Sequence, residues 1–247
     1  MPIAVISDIH GNCVALDAVL DDMQRYPVAH IVCLGDAIQG GPQPAQVVMR
    51  MRQLACPVVM GNADAWLLTG VETGHENIPP ERYRKMQAVR EWSLSCLSAE
   101  DQNFIAGFRP TVEVPLTASR SLLCFHGSPT SFDDVILPAT PEDEFQRHLG
   151  AYDSHILTGG HTHIQHLRRL GNSFYFNPGS VGFAYSHTQS EEAFRADAWA
   201  EYAVVSVEGG RVSLEFRRVP FAATDLIQAY RDSGRPFAQE AIVQYMT

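Results

Sequence analysis

Short β-branched runs that stop abruptly at a glycine or a metal-ligand side chain recur along this chain and constrain its fold most. Residues 2–7, Pro-Ile-Ala-Val-Ile-Ser, read as a buried parallel-type strand that stops at Asp8-Ile9-His10-Gly11. Val14, Leu16, Val19, Leu20 and Met23 then recur at helical spacing, and residues 29–34 form a second apolar run ending in Gly35-Asp36. That is the length of one βαβ unit, which commits the chain to the α/β class. A second helical pattern opens at Pro42-Gln43-Pro44 and runs through Val47, Val48, Met51 and Leu54, and residues 57–60 make a third strand ending in Gly61-Asn62. Ligands of open α/β sheets gather beyond the carboxyl ends of the strands, so Asp8, His10, Asp36 and Asn62 are expected to converge there. Side-chain alternation along a strand places Asp8 and His10 on one side, as two ligands of one metal ion require. Alone, such a triplet is more often an ordinary turn.

Residues 63–119 are mainly helical in pattern and read as an insert or cap region. A long helix over residues 81–97 carries Met86, Val89, Trp92, Ser93 and Leu97 on a stripe expected to face the core. Gly74-His75-Glu76-Asn77, before Pro79-Pro80, is a loop that is either a plain connection or a lid, with His75 as a candidate substrate-facing group. Strands resume at residues 121–125, 155–158 and 173–176, ending in His126-Gly127, in Gly159-Gly160-His161-Thr162-His163 and in Asn177-Pro178-Gly179-Ser180. Residues 201–207 and 211–217 form a hairpin through Glu208-Gly209-Gly210, and a terminal helix over 223–231 packs outside. With no linker rich in Gly, Ser or Pro and no repeat, residues 1–247 are expected to form a single domain.

The net charge of −10 excludes broad binding of nucleic-acid backbone, which needs clustered cations. Arg168-Arg169 and Arg217-Arg218 are expected to be solvated surface. An acidic chain can still take a small phosphate ester if metal ions supply the local positive charge. No segment has the apolar length of a membrane span, and Met1-Pro2-Ile3 enters the first strand without a basic leader, so a cytoplasmic location is expected. The cysteines Cys13, Cys33, Cys56, Cys96 and Cys124 are odd in number and share no Cys-x-x-Cys spacing, so they read as reduced core residues.

Taken together, Asp8-x-His10, Gly35-Asp36, Gly61-Asn62, His126-Gly127 and Gly160-His161-Thr162-His163 resemble the calcineurin-like metallophosphoesterase superfamily. The opening Ile-Ser-Asp-Ile-His-Gly-Asn and the later Asn-Pro-Gly-Ser resemble its small prokaryotic phosphodiesterase branch, and the likeness runs from Pro2 to about Pro220. The resemblance implies a four-layer αββα sandwich with two mixed β-sheets and flanking helices. It also implies two divalent metal ions, manganese first with iron, zinc, nickel and cobalt as alternatives. One ion would be held by Asp8, His10 and His163, the other by Asn62, His126 and His161, with Asp36 bridging. A hydroxide between the metals would attack phosphorus in line. His30, His148, His155, His166 and His187 have no place in the pattern and read as structural or surface.

The chain departs from the family at Gly61-Asn62-Ala63-Asp64, because many members carry a histidine where Ala63 stands, and that histidine contacts the phosphate or protonates the leaving oxygen. General acid catalysis is typically worth about 10²–10⁴-fold, so good leaving groups should be favoured. Asp64 is expected to support its loop by hydrogen bonds. The stretch Gly35 to Gly41 also lacks the arginine that follows the bridging aspartate in protein Ser/Thr phosphatases. The expected site is therefore open, disfavours phosphoproteins, and contacts phosphate through Asn12 and loop amides. Two functions remain on this reading: a phosphodiesterase for small phosphate esters or nucleotides, or a non-catalytic metal-binding scaffold that binds partner proteins. A scaffold is free to lose ligands, and all seven candidates are present.

Overall fold

Every residue of strand β1 (Ile3–Ile6) is buried, because this strand lies inside its sheet with layers on both faces. The computed structural model of the protein describes residues 2–26, 28–71, 78–118, 120–152, 155–190 and 193–246. Helix α1 (Cys13–Met23) carries the chain to β2 (His30–Cys33), which pairs parallel with β1. Helices α2 (Pro44–Leu54), α3 (Asn62–Thr69), α4 (Pro80–Ser95) and α5 (Ala99–Ala106) follow. Next come β3 (Val112–Thr117), β4 (Arg120–Cys124), α6 (Glu142–Leu149), β5 (Ile156–Thr158), β6 (His166–Leu170) and β7 (Ser173–Asn177). The chain ends in the hairpin of β8 (Trp199–Glu208) and β9 (Arg211–Pro220), then α7 (Ala223–Ser233) and α8 (Ala238–Val243).

One sheet has the order β2-β1-β8-β9, the other β3-β4-β5-β7-β6, and each mixes parallel with antiparallel pairs. Strand periodicity sorts the layers. Ile3 and Val5 pack toward Leu122, Cys124, Ile156 and Phe176 of the other sheet. Ala4 and Ile6 pack instead with Leu16 and Val19 of α1 and Val47 and Met51 of α2. On the far side, Phe145 and Leu149 of α6 cover Leu123, Leu157 and Tyr175. The result is the helix–sheet–sheet–helix sandwich expected.

Some elements depart from the sequence reading. Residues 57–60 make only isolated bridges, Cys33 with Val58 and Val59 with Arg109, since Pro57 has no N–H to donate and the chain turns into α3 at Asn62. Strands β3 and β6 lie at the edges of their sheet, where half-exposed residues give a weak pattern. Arg169 and Arg218 are exposed as expected, but the other arginine of each pair is not simple solvated surface. Arg168 stacks on the Phe145 ring 3.9 Å from its centroid, and Arg217 stacks on Tyr26 at 3.7 Å. Cys13, Cys33 and Cys124 are buried and free, whereas Cys96 is exposed. Among the described residues no helix is long and apolar enough to cross a membrane. His75 and its loop lie outside the described residues.

Arg217 also ties the terminal hairpin to α1. Its Nε donates to Asp22 Oδ2 at 2.8 Å and its terminal nitrogen to Oδ1 at 3.1 Å, while the Tyr202 hydroxyl donates to Oδ2 at 2.7 Å. Burial opposes ionisation of Asp22, but the bonds from Arg217 and Tyr202 hold its carboxyl below the ordinary range. A depressed folded-state pKa gives stability that is present above the unfolded value and is lost as pH falls through the folded one. Asp22→Asn should therefore lower the urea midpoint at pH 7, with the gap to the parent closing below about pH 4. A gap independent of pH would show that the pair acts through packing alone.

Candidate metal centre

The loops at the carboxyl ends of the strands bring the predicted residues together: Asp8 and His10 after β1, Asp36 after β2, His126 after β4, and His161 and His163 after β5. Asn62 begins α3. Strand alternation is not what places them, because β1 ends at Ile6. Instead the chain kinks at the functional residues themselves. Among the described residues, five of the seven non-glycine positions with positive φ are Asp8 (55°), His10 (48°), Asp36 (49°), His161 (68°) and His163 (54°). Such a backbone is costly for residues with a Cβ and gathers at functional sites.

Asp36 and Asn62 meet because their loops touch backbone to backbone. A Cβ on Gly35, at φ 99°, would lie 2.5 Å from the Gly61 nitrogen, and one on Gly61 would overlap Asp36. Glycine alone permits this approach. A reciprocal clamp then holds it: Asp36 Oδ1 accepts from Ala63 N–H in the first turn of α3 at 2.8 Å, while the Asp64 oxygens accept from Ala37 and Ile38 N–H, both at 3.0 Å. Asp64 thus supports its loop as expected, and burial beside Asp36 pushes its pKa up to about 7. On the opposite side Asn177 Nδ2 donates to Gly160 O at 2.6 Å and to Thr162 Oγ1 at 3.1 Å, which fixes the loop carrying His161 and His163. This gives the Asn-Pro-Gly-Ser segment a structural role.

The donor atoms form two groups, each lying within 4.8 Å: Asp8, His10 and His163, and Asp36, His126 and His161. Asn62 Oδ1 joins the second, 3.0 Å from His126 Nε2. Asp36 Oδ2 lies 3.4 Å from His126 Nε2 and 3.8 Å from His10 Nε2, so it stands between the groups. Three rings face backbone carbonyls through Nδ1: His10 to Gln39 at 2.9 Å, His126 to Leu34 at 2.8 Å, and His163 to Phe183 at 2.7 Å. Donation there leaves Nε2 of each neutral ring as a lone pair aimed into the site, the arrangement of metal-binding imidazoles.

That arrangement is unfavourable without positive charge. His10 Nε2 and His163 Nε2 lie 3.1 Å apart, and Asp8 Oδ1, fully buried, has only the His163 ring beside it, 3.2 Å from Nε2. Protons can partly fill the need. Burial alone would lower His126, but Asp36 beside it pushes it up to about 10. His161, buried next to His126, falls to about 4. Burial works to raise Asp36, yet His126 and His10 hold it well below the carboxylate range. Imidazole nitrogen with carboxylate and amide oxygen fits a divalent ion such as manganese, iron, zinc, cobalt or nickel at each group.

Other expected groups sit nearby with different occupations. Asn12 lines the cleft, but its Oδ1 caps α1 through Ala15 N–H at 3.0 Å and its Nδ2 donates to Gly182 O at 2.9 Å, leaving one amide hydrogen for a ligand. The site is also less open than the loop sequence suggests. A cleft of about 540 Å³ rises above it, walled by Arg82, Lys85 and Met86 of α4 and by Tyr230, Arg235 and Phe237 near the end of the chain. Of the stripe read as core, Val89, Ser93 and Leu97 are buried, while Met86 is half-buried and lines this cleft with Val89; α7, read as outside packing, and α8 form its other wall. No sequence signal marked the carbonyls of Leu34, Gln39 and Phe183. Arg235 follows Arg231 in a polar stretch with no motif around it.

A family model for the calcineurin-like phosphoesterase superfamily domain matches residues 1–209. An uncharacterised protein of Methanocaldococcus jannaschii is 29% identical over 198 residues, 73% of this chain and 76% of that one. The phosphodiesterase YfcE of Escherichia coli K12 is 27% identical over 191 residues, 73% of this chain and 79% of that one. The crystal structure of a metallophosphoesterase from Sphaerobacter thermophilus superposes with a TM-score of 0.72 at 25% identity, covering 99% of this chain and 97% of the other.

The reciprocal clamp makes a direct prediction. Asp64→Asn exchanges one acceptor for an amide that faces a backbone N–H, so urea unfolding in chelator should show a loss of about 1–3 kcal/mol. An unchanged midpoint would show that the clamp does not hold the two loops together.

Proposed function

The chain belongs to the calcineurin-like phosphoesterase superfamily, and from that premise we propose that it is a dinuclear metal-dependent phosphodiesterase of small phosphate esters or nucleotides. The observation that carries this reading is Asp36 Oδ2 standing between two convergent groups of donor atoms, 3.4 Å from His126 and 3.8 Å from His10. Asp8, His10 and His163 would hold one ion, Asn62, His126 and His161 the other, and Asp36 both. Two divalent cations, when bound, supply Lewis acidity that acidifies water and offsets charge on the phosphoryl oxygens.

The chain's own residues do the rest. The carbonyls of Gln39, Leu34 and Phe183 fix three rings, so the donor lone pairs are oriented before any ligand arrives. Ala63 offers the leaving group no side-chain proton, and its N–H is spent on Asp36. Departure then depends on the leaving group's own acidity, which favours aryl esters and activated diesters over alkyl monoesters. The cleft walls leave room for a small ester and disfavour a phosphorylated protein surface.

Manganese is the metal to restore first. Chelator-treated protein given Mn²⁺ is expected to cleave bis-p-nitrophenyl phosphate faster than p-nitrophenyl phosphate, and Asp36→Asn to abolish both this activity and the binding of a second ion measured by elemental analysis. Two tightly bound ions with no turnover of either ester would favour the scaffold function instead. Separately, Ala63→His is expected to raise turnover of alkyl esters by up to about 10²-fold while changing aryl esters little. Equal effects on both would remove the argument that this position supplies the acid.

A further inference from the structure

The cleft above the metal centre presents cations that the reaction at phosphorus does not use. Three cations line the cleft, Arg82, Lys85 and Arg235, in a chain of net charge −10. Lys85 is neutralised, with its Nζ 2.9 Å and 3.0 Å from the two oxygens of Glu240, and it sits over the Phe237 ring at 5.3 Å. Arg235 makes no ion pair among the described residues; the charge of Glu240, already held by Lys85, reaches it only at longer range. The Arg235 Nε donates to the Gly40 carbonyl at 2.7 Å and one terminal nitrogen to the Pro236 carbonyl at 2.9 Å, both uncharged acceptors. Among the described residues no carboxylate lies within 4 Å of it, although it is half-buried.

A partly desolvated guanidinium without a direct ion pair is costly, and its planar fork suits a carboxylate or phosphate. Arg82, exposed on α4, makes no ion pair among the described residues. The same cleft also presents Trp66, Met86, Val89, Phe183 and Phe237. A ligand filling it would have its phosphoester at the metal residues, an apolar or aromatic body, and a second negative group.

We propose that Arg235, assisted by Arg82, binds a second anionic group on the substrate, so that the preferred substrates are phosphate esters bearing a further phosphate or carboxylate together with an apolar or aromatic body. A nucleotide carrying an additional phosphate belongs to this class. The assignment rests on the phosphoesterase reading and deepens it. Arg235 also has a structural tie, because the Gly40 carbonyl it holds is next to the Gln39 carbonyl that orients His10. The test must therefore separate recognition from support.

Two diesters with one leaving group do this: p-nitrophenyl phenyl phosphate and p-nitrophenyl 4-carboxyphenyl phosphate, assayed with Mn²⁺-restored protein. The parent should favour the carboxylate by about tenfold in kcat/KM, chiefly through KM, as one charge-assisted contact allows. Arg235→Gln should bring the ratio close to one, Arg235→Lys should recover part of it, and Arg82→Gln should reduce it partially. A fall on both substrates with the ratio preserved assigns Arg235 to support alone and overturns the proposal. Calorimetric titration of phenyl phosphate and 4-carboxyphenyl phosphate into the same proteins reads the preference as affinity, without turnover. Equal affinities in the parent overturn the anion subsite, whereas a preference that Arg235→Gln removes upholds it even if catalysis is absent.

Discussion

Two buried carboxylates, those of Asp8 and Asp36, lie within a few ångströms of four imidazoles at the floor of a cleft, and much of the nearby structure answers that concentration of charge. Like-signed groups out of water require compensation. Around them the chain supplies backbone N–H groups, with His161 N–H reaching Asp8 Oδ2 at 3.1 Å and Ala63 N–H reaching Asp36. It also supplies rings whose protons point away to carbonyls. At Asp8 Oδ1 it supplies only the His163 ring, 3.2 Å away. Divalent cations fit that need in kind and in place.

The two sheets make this concentration possible. β1 and β2 deliver Asp8, His10 and Asp36 from one sheet, and β4 and β5 deliver His126, His161 and His163 from the other. Neither sheet alone carries the proposed ligand set. The apolar layer of Val5, Leu122, Ile156 and Phe176 holds the sheets in register. Packing between the sheets is thus coupled to the geometry of the site, and a shift of one sheet against the other would separate Asp36 from His126.

The residues that converge were legible because metal chemistry needs particular side chains, and the glycines beside several of them mark where the backbone must turn. The α/β class was legible from short apolar runs at helical separation, and the layering came with the family resemblance. The orientation of the rings was not, since every residue has a carbonyl and nothing in Leu34, Gln39 or Phe183 advertises its use. Alternation gave the right neighbours for Asp8 and His10 by a route the backbone does not take. The cleft walls were hidden for a different reason: Met86 shares the spacing of Val89, Ser93 and Leu97, which are buried, and only the tertiary fold decides where along such a stripe the cover stops. Arg168 and Arg217 misled because a long side chain stacked on an aromatic ring looks like surface in a linear sequence.

The left-handed backbone at Asp8, His10, Asp36, His161 and His163 bears on how such a chain drifts over generations. A residue with a Cβ held there costs about 1–3 kcal/mol, a sum over five positions comparable with the whole stability of a domain. Glycine would relieve that cost at each position while removing a proposed ligand. Selection for folding alone therefore pulls against the centre, and a lineage released from its chemistry would gain robustness by losing these side chains one at a time. Retention of all of them together is the costlier state, maintained against a standing mutational gradient.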